Sequence, residues 1–191
     1  MSGVADDRVT LYLVRHGRAA GSWDESRDPR LDAEGHRQAE RASAEIDAMA
    51  GRPLALCTSP LQRARETAAP LAARWETAPA VEPGVAEVPS PGMSLQERGG
   101  WLQGLLQSRW PDLEPHLWQW REQAVDTLCA CQRDTVFVTH AVLINAVVAA
   151  VTDDQRVLVF RPDYCSVTTL HLRRGALALH ALGREADTRL R

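Results

Sequence analysis

The sequence predicts an α/β fold, a three-layer α/β/α sandwich with a mostly parallel central sheet, an antiparallel edge and a helical insertion. Three observations carry this. Short apolar runs alternate with helical stretches along most of the chain, the pattern of βα units. Two of those runs, Leu11-Tyr12-Leu13-Val14 and Val136-Phe137-Val138, are wholly apolar, as strands buried on both faces are. Near the end of the chain, two more strand-like runs flank Arg173-Arg174-Gly175, which reads as a hairpin. A chain of 191 residues with 45% hydrophobic content can bury one real core, so residues 1–191 are taken as a single domain.

The elements follow in order. A first strand is expected over residues 9–14, followed by a long loop over 15–31. Asp32 is a good N-cap for a helix that ends near residue 50, with Gly51 as its stop. Residues 54–57 form the second strand. Ser59 has the chemistry of an N-cap, Pro60 suits the first helical position, and Gln62 completes a capping-box pattern. This second helix runs to about residue 75, and a weak strand lies near 80–81. The segment 88–132 has a different character and is expected to be the helical insertion. Pro89, Pro91 and Gly92 make a loop, and Ser94-Leu95-Gln96-Glu97 is a second capping box. Two helices follow, near 95–108 and 112–132, placed to pack beside the sheet and partly roof its active end. Trp101, Trp110, Trp118 and Trp120 fall here, either as helix packing or as an aromatic wall facing a substrate. Residues 135–139 are a central strand, 142–150 an apolar helix, and 167–173 with 176–182 the antiparallel edge strands.

Composition excludes several function classes. The net charge is −3, so no global basic field recruits nucleic acid. No apolar run reaches the roughly 18 residues a membrane span requires. The first eight residues lack the basic and apolar blocks of a signal peptide, so a cytoplasmic location is expected. All 22 Lys-plus-Arg residues are Arg, which together with abundant Ala suggests a GC-rich, bacterial genome. Cys57, Cys129, Cys131 and Cys165 read as structural thiols, because Cys129-Ala130-Cys131 lacks zinc-ligand spacing and a matching second half. The sequence sets no oligomeric state.

The chemistry gathers at strand ends, where ligands collect in open α/β sheets. The first strand ends in Arg15-His16-Gly17: a cation, a possible nucleophile or base, and a backbone site that tolerates a sharp turn. The fourth strand ends in His140. Arg63 sits early in the second helix, near the positive end of its dipole, with a forked geometry suited to phosphoryl oxygens. Arg65 faces elsewhere on the same helix. Glu87 lies in a Pro-rich stretch after the third strand. A carboxyl group in a partly desolvated anionic site can pass a proton to an alkoxide leaving group. Glu82 and Glu97 are competitors for that role. The two histidines could instead suggest a metal, but no His-x-x-x-His pair or clear carboxylate partner supports one. His36, His116, His171 and His180 are expected on surfaces or edge strands.

Taken together, Arg15-His16-Gly17, Leu31-Asp32-Ala33-Glu34-Gly35, the run Thr58 to Ala68 with Arg63, Glu87 and the strand ending in His140 resemble the histidine phosphatase superfamily, the phosphoglycerate mutase-like fold. The resemblance covers about residues 9–182. It implies that His16 is a nucleophile forming phosphohistidine, that His140 binds the transferred group beside it, and that Arg15 and Arg63 bind its oxygens. Glu87 would then be the proton donor. The implied activity is a metal-independent phosphomonoesterase with no cofactor, acting on a small phosphorylated substrate. Alternatives are a mutase-like phosphotransferase, a phosphohistidine-protein phosphatase, or a non-catalytic phospholigand sensor. The chain departs from the family at three points. Ser22, in Arg18-Ala19-Ala20-Gly21-Ser22-Trp23, stands near the usual phosphate-binding asparagine and is expected to bind phosphate in its place, through a weaker hydrogen bond. Ala141 replaces a common glycine, and Asn145 stands where relatives often have arginine. The missing mutase loop signatures favour a phosphatase over a mutase.

Overall fold

The computed structural model describes residues 7–22, 24–90 and 92–187. Trp23 and Pro91, named in the two loops above, lie outside the described residues. The elements are β1 (Arg8–Arg15), α1 (Ala33–Ala50), β2 (Ala55–Thr58), α2 (Gln62–Arg74), β3 (Ala80–Val81), α3 (Leu95–Leu105), α4 (Pro115–Cys129), β4 (Thr135–Thr139), α5 (Ala141–Thr152), β5 (Val167–Arg173) and β6 (Ala176–Ala181). Short 3₁₀ turns lie at Pro83–Val85, before the insertion, and at Trp110–Asp112, within it.

The sheet order is β3-β2-β4-β1-β5-β6. The first four strands are mutually parallel, and β5 pairs antiparallel with both β1 and β6. This corrects one expectation: β5 is an interior strand, and β6 alone is the antiparallel edge. The β5–β6 turn needs φ above zero at both central residues, Arg174 (52°) and Gly175 (78°), which suits the twist of a tight hairpin.

The period-2 alternation of the central strands sorts the core into two layers. Leu11 and Leu13 of β1 and Phe137 of β4 pack with Leu143, Ile144, Val147 and Val148 of α5 and with Ala124 and Leu128 of α4. The next residues along, Val14, Val136 and Val138, pack on the other face with Ile46 of α1 and Ala64, Ala68 and Leu71 of α2. A third cluster joins Leu102, Leu105, Trp110 and Leu117 to Val142 and Ala146, so the insertion is docked on the outer side of α5. α5 is buried along nearly its whole length because helices cover it on one side and the sheet on the other.

The caps fit the sequence in two places and not in a third. Asp32 accepts from the Gly35 amide and Gly51 closes α1 in the left-handed region. Ser94 and Glu97 form the reciprocal capping box of α3. Ser59, however, is not the N-cap of α2. The helix starts at Gln62 with Leu61 at the cap position and no side-chain cap bond there. The Gln62 amide is taken instead by the Asp28 carboxylate, from the long loop, at 2.8 Å. The hydroxyl of Ser59 is engaged elsewhere, with a histidine.

The tryptophans of the insertion pack rather than face a ligand. Trp110 and Trp118 meet edge-on, with the Arg121 guanidinium over both rings. Trp120 donates its indole N–H to the Ala86 carbonyl. Among the described residues, no helix is long and apolar enough to cross a membrane.

Candidate active site

Register places the two strand-end histidines together. β1 and β4 are parallel neighbours with Arg15 opposite Thr139, and the His16 amide donates to the Thr139 carbonyl. His16 and His140 are therefore the first residues past adjacent strands. Their ring centroids are 5.2 Å apart in an edge-on arrangement. α5 opens directly after His140, so its positive end lies at the same point.

His16 is held by its own turn. Its Nδ1 lies 2.7 Å from the Gly17 carbonyl, which can only accept, so the proton is on Nδ1 and the lone pair on Nε2. Gly17 is there because the turn runs against α1: a Cβ at residue 17 would lie 2.7 Å from the Gly35 carbonyl oxygen. Its amide donates to Thr67 Oγ1, and that hydroxyl donates to the Arg63 carbonyl, which ties the His16 turn to α2.

Arg63 faces the histidine from the second residue of α2. Its Nε donates to His16 Nε2 at 3.2 Å, and its Nη2 is 3.6 Å from Glu87 Oε2. Its Nη1 has no hydrogen-bond partner, with Asp28 standing off at 3.7 Å. Arg15 donates from Nη1 to the Pro162 carbonyl, stacks its guanidinium 3.9 Å over Tyr164, and leaves Nε unbonded. Two buried guanidinium groups thus carry unspent donors, an arrangement suited to an anion.

Glu87 enters from the turn after β3. Thr139 Oγ1 donates to the Val85 carbonyl, Trp120 holds the Ala86 carbonyl, and the Val88 amide donates to Glu87 Oε1. So fixed, Glu87 Oε2 lies 3.6 Å from both Arg63 Nη2 and His140 Nδ1. The competing glutamates are engaged elsewhere. Glu82 caps the 3₁₀ turn through the Gly84 amide, and Glu97 belongs to the exposed capping box of α3.

Both imidazoles are shifted toward the neutral form. Burial is the first cause holding each well below the usual imidazole range. The Arg63 guanidinium is the second, followed by Arg15 for His16 and by His16 and then Arg15 for His140. Burial likewise lowers the affinity of Arg15 and Arg63 for their protons, opposed by the neighbouring acidic groups and, for Arg15, Tyr164.

Ser22 lines a 370 Å³ cavity together with His16, Arg18 and Tyr164. Its hydroxyl donates to Asp24 and its amide to Glu25. Arg65 is exposed on the outer side of α2, as its spacing suggested. His36 stands over Glu66 and His171 stacks on His180, both away from this centre. Among the described residues, no group of three His, Cys, Asp or Glu side chains is placed to hold a metal ion.

Several residues at the centre carry no obvious sequence signal. Tyr164 lies in an irregular stretch between α5 and β5. Arg98, on α3 and buried, donates to Ser90 and adds positive charge near Glu87 and His140. In an all-arginine chain it does not stand out. Asn145, read as a departure, proves to be a structural clamp. Its Oδ1 accepts from the Val159 and Phe160 amides and its Nδ2 donates to the Ala141 carbonyl.

Comparison with known proteins gives the family and the fold. The family model for the histidine phosphatase superfamily (branch 1) matches residues 11–185. No curated protein sequence matches significantly. Among solved structures, the chain is similar to mycobacterial glucosyl-3-phosphoglycerate phosphatase (20% identity, TM-score 0.72, 92% of this chain and 98% of that one). It is also similar to α-ribazole phosphatase from Shigella flexneri (18%, TM-score 0.72, 96% and 100%). A third is phosphoserine phosphatase from Entamoeba histolytica in complex with 3-phosphoglyceric acid (20%, TM-score 0.71, 92% and 97%). At these identities the structures speak for the fold, and the family match covers nearly the whole chain. The protein belongs to the histidine phosphatase superfamily, branch 1.

Proposed function

We propose that the protein is a metal-independent phosphomonoesterase that works through a phosphohistidine on His16. The observation that carries this is the setting of His16: Nδ1 lies against the Gly17 carbonyl, Nε2 accepts from Arg63 Nε, and burial pushes the imidazole well below its usual pKa. Such a nitrogen is a nucleophile at neutral pH without a separate base.

The steps balance with the groups present. A phosphate monoester displaces Arg63 Nε from His16 Nε2, and the guanidinium donors of Arg15 and Arg63 take its non-bridging oxygens. His16 Nε2 forms the bond to phosphorus as the ester oxygen leaves. That oxygen takes a proton from Glu87, leaving a carboxylate. The phosphorylated ring carries positive charge, which the Gly17 carbonyl stabilises through Nδ1–H. Glu87 then takes a proton from water, the oxygen attacks phosphorus, and His16 leaves neutral. Glu87 is protonated again, ready for the next turnover.

A small phosphorylated molecule is the expected substrate. Three solved structures with the same fold bear phosphatase names, which supports hydrolysis over transfer. The direct test is a phosphate-release screen across small phosphomonoesters with excess EDTA present. Release that survives chelation and is lost in His16→Ala is the expected result. Loss on chelation, restored by one divalent ion, would refute the mechanism.

A further inference from the structure

We infer that Ser59 is a positioning residue: its buried hydroxyl fixes the tautomer of His140 and turns an N–H, rather than a lone pair, toward the phosphoryl site. Ser59 and His140 are both fully buried, and Ser59 Oγ lies 2.7 Å from His140 Nε2. That distance alone leaves the proton's direction open. The rest of the serine's surroundings decides it. The other partner of Ser59 Oγ is the Leu61 amide, a donor, at 3.3 Å. The hydroxyl hydrogen therefore has one acceptor within reach, His140 Nε2. If the imidazole donated instead, that hydrogen would be buried with no acceptor, which costs more than the bond returns.

Ser59 therefore donates, Nε2 carries the lone pair, and the ring proton sits on Nδ1. Nδ1 has no hydrogen-bond partner and lies 3.6 Å from Glu87 Oε2. Its N–H is a preorganised donor facing the space between Glu87 and His16, ready for an oxygen of the bound phosphoryl group. The backbone holds the serine to this task. The Ser59 amide donates to the Val138 carbonyl two residues before His140, so the two side chains cannot drift apart without breaking the β2–β4 ladder.

The test is the tautomer itself. In protein labelled with ¹⁵N-histidine at pH 8, the long-range ¹H–¹⁵N pattern of His140, assigned by its loss in His140→Gln, should show Nδ1 protonated and Nε2 bare. In Ser59→Ala it should shift toward a mixture of both forms. Nε2 protonated in the unaltered protein would overturn the inference. So would an unchanged pattern in Ser59→Ala. This arm needs no substrate, so its outcome is separate from that of the phosphatase reading on which the kinetic consequence rests. Given that activity, Ser59→Ala should lower kcat/KM by roughly tenfold, the scale of one buried hydrogen bond, and an unchanged kcat/KM would count against the role.

Discussion

The carboxyl ends of β1 and β4 look alike in sequence and differ in chemistry. Each is a buried apolar strand that stops at a histidine, and register sets the two rings side by side. At the end of β1, the Gly17 carbonyl takes the Nδ1 proton, so His16 offers Nε2 as a lone pair. At the end of β4, the Ser59 hydroxyl occupies Nε2, so His140 offers Nδ1 as a donor. The partner on the far nitrogen decides which end of the imidazole meets the substrate. One histidine is thereby suited to attack phosphorus and the other to hold its oxygens.

Exchanging or deleting groups across this pair should give graded losses. His16→Ala should have the largest effect, a fall in kcat of about 10⁴-fold or more, since the bond to phosphorus is assigned to its Nε2. Steady-state phosphate release measures it, and a loss below tenfold would make His16 a binding group like its neighbour. Glu87→Gln should come next, slowing alkyl phosphates by roughly 10²–10⁴-fold and aryl phosphates much less. Aryl oxygens leave without protonation, so equal losses on both classes would remove Glu87 from the proton-transfer role.

Acid should expose the shared burial of the two rings. Both folded-state imidazoles resist protonation, first because they are buried and then because Arg63 is near. The unfolded chain takes up those protons as pH falls through about 6.5. Below that value the unfolded state binds more protons than the folded state, so stability is full above it and declines as the solution is acidified. Denaturation midpoints between pH 8 and pH 5 should fall, and the fall should shrink in a His16→Gln/His140→Gln double variant. A midpoint that rises on acidification would contradict the neutral pair. Ser22→Ala should do least, changing kcat/KM by less than about threefold, because the hydroxyl is already held by Asp24.

The strands were legible because burial writes itself into residue order. Leu11 and Leu13 face α5 while Val14 faces α1 and α2, and the same alternation repeats at Val136, Phe137 and Val138. Strand ends then pointed to Arg15, His16 and His140, and chain order to Glu87, and the fold brings these candidate residues together. Ser59 was misread for a physical reason. A serine before a proline at the start of a helix carries the local signature of an N-cap, whereas its actual partner lies 81 residues away. Local rules cannot see a partner that distant in sequence. Asn145 was hidden similarly: its partners are backbone amides 14 and 15 residues on, in a stretch with no regular structure to predict. The interior position of β5 was missed because two strands joined by a tight turn say nothing of which one pairs with β1.

The central claim is that His16 Nε2 becomes covalently bonded to phosphorus, and trapping that bond tests it most directly. The protein would be mixed with a ³²P-labelled phosphomonoester, quenched in alkaline denaturant within milliseconds, and the labelled peptide sequenced. The account predicts an alkali-stable, acid-labile label on the peptide containing His16, absent in His16→Ala and present in His140→Gln if phosphoryl transfer still occurs. A label mapped to any other residue, or one that forms normally in His16→Ala, would contradict it.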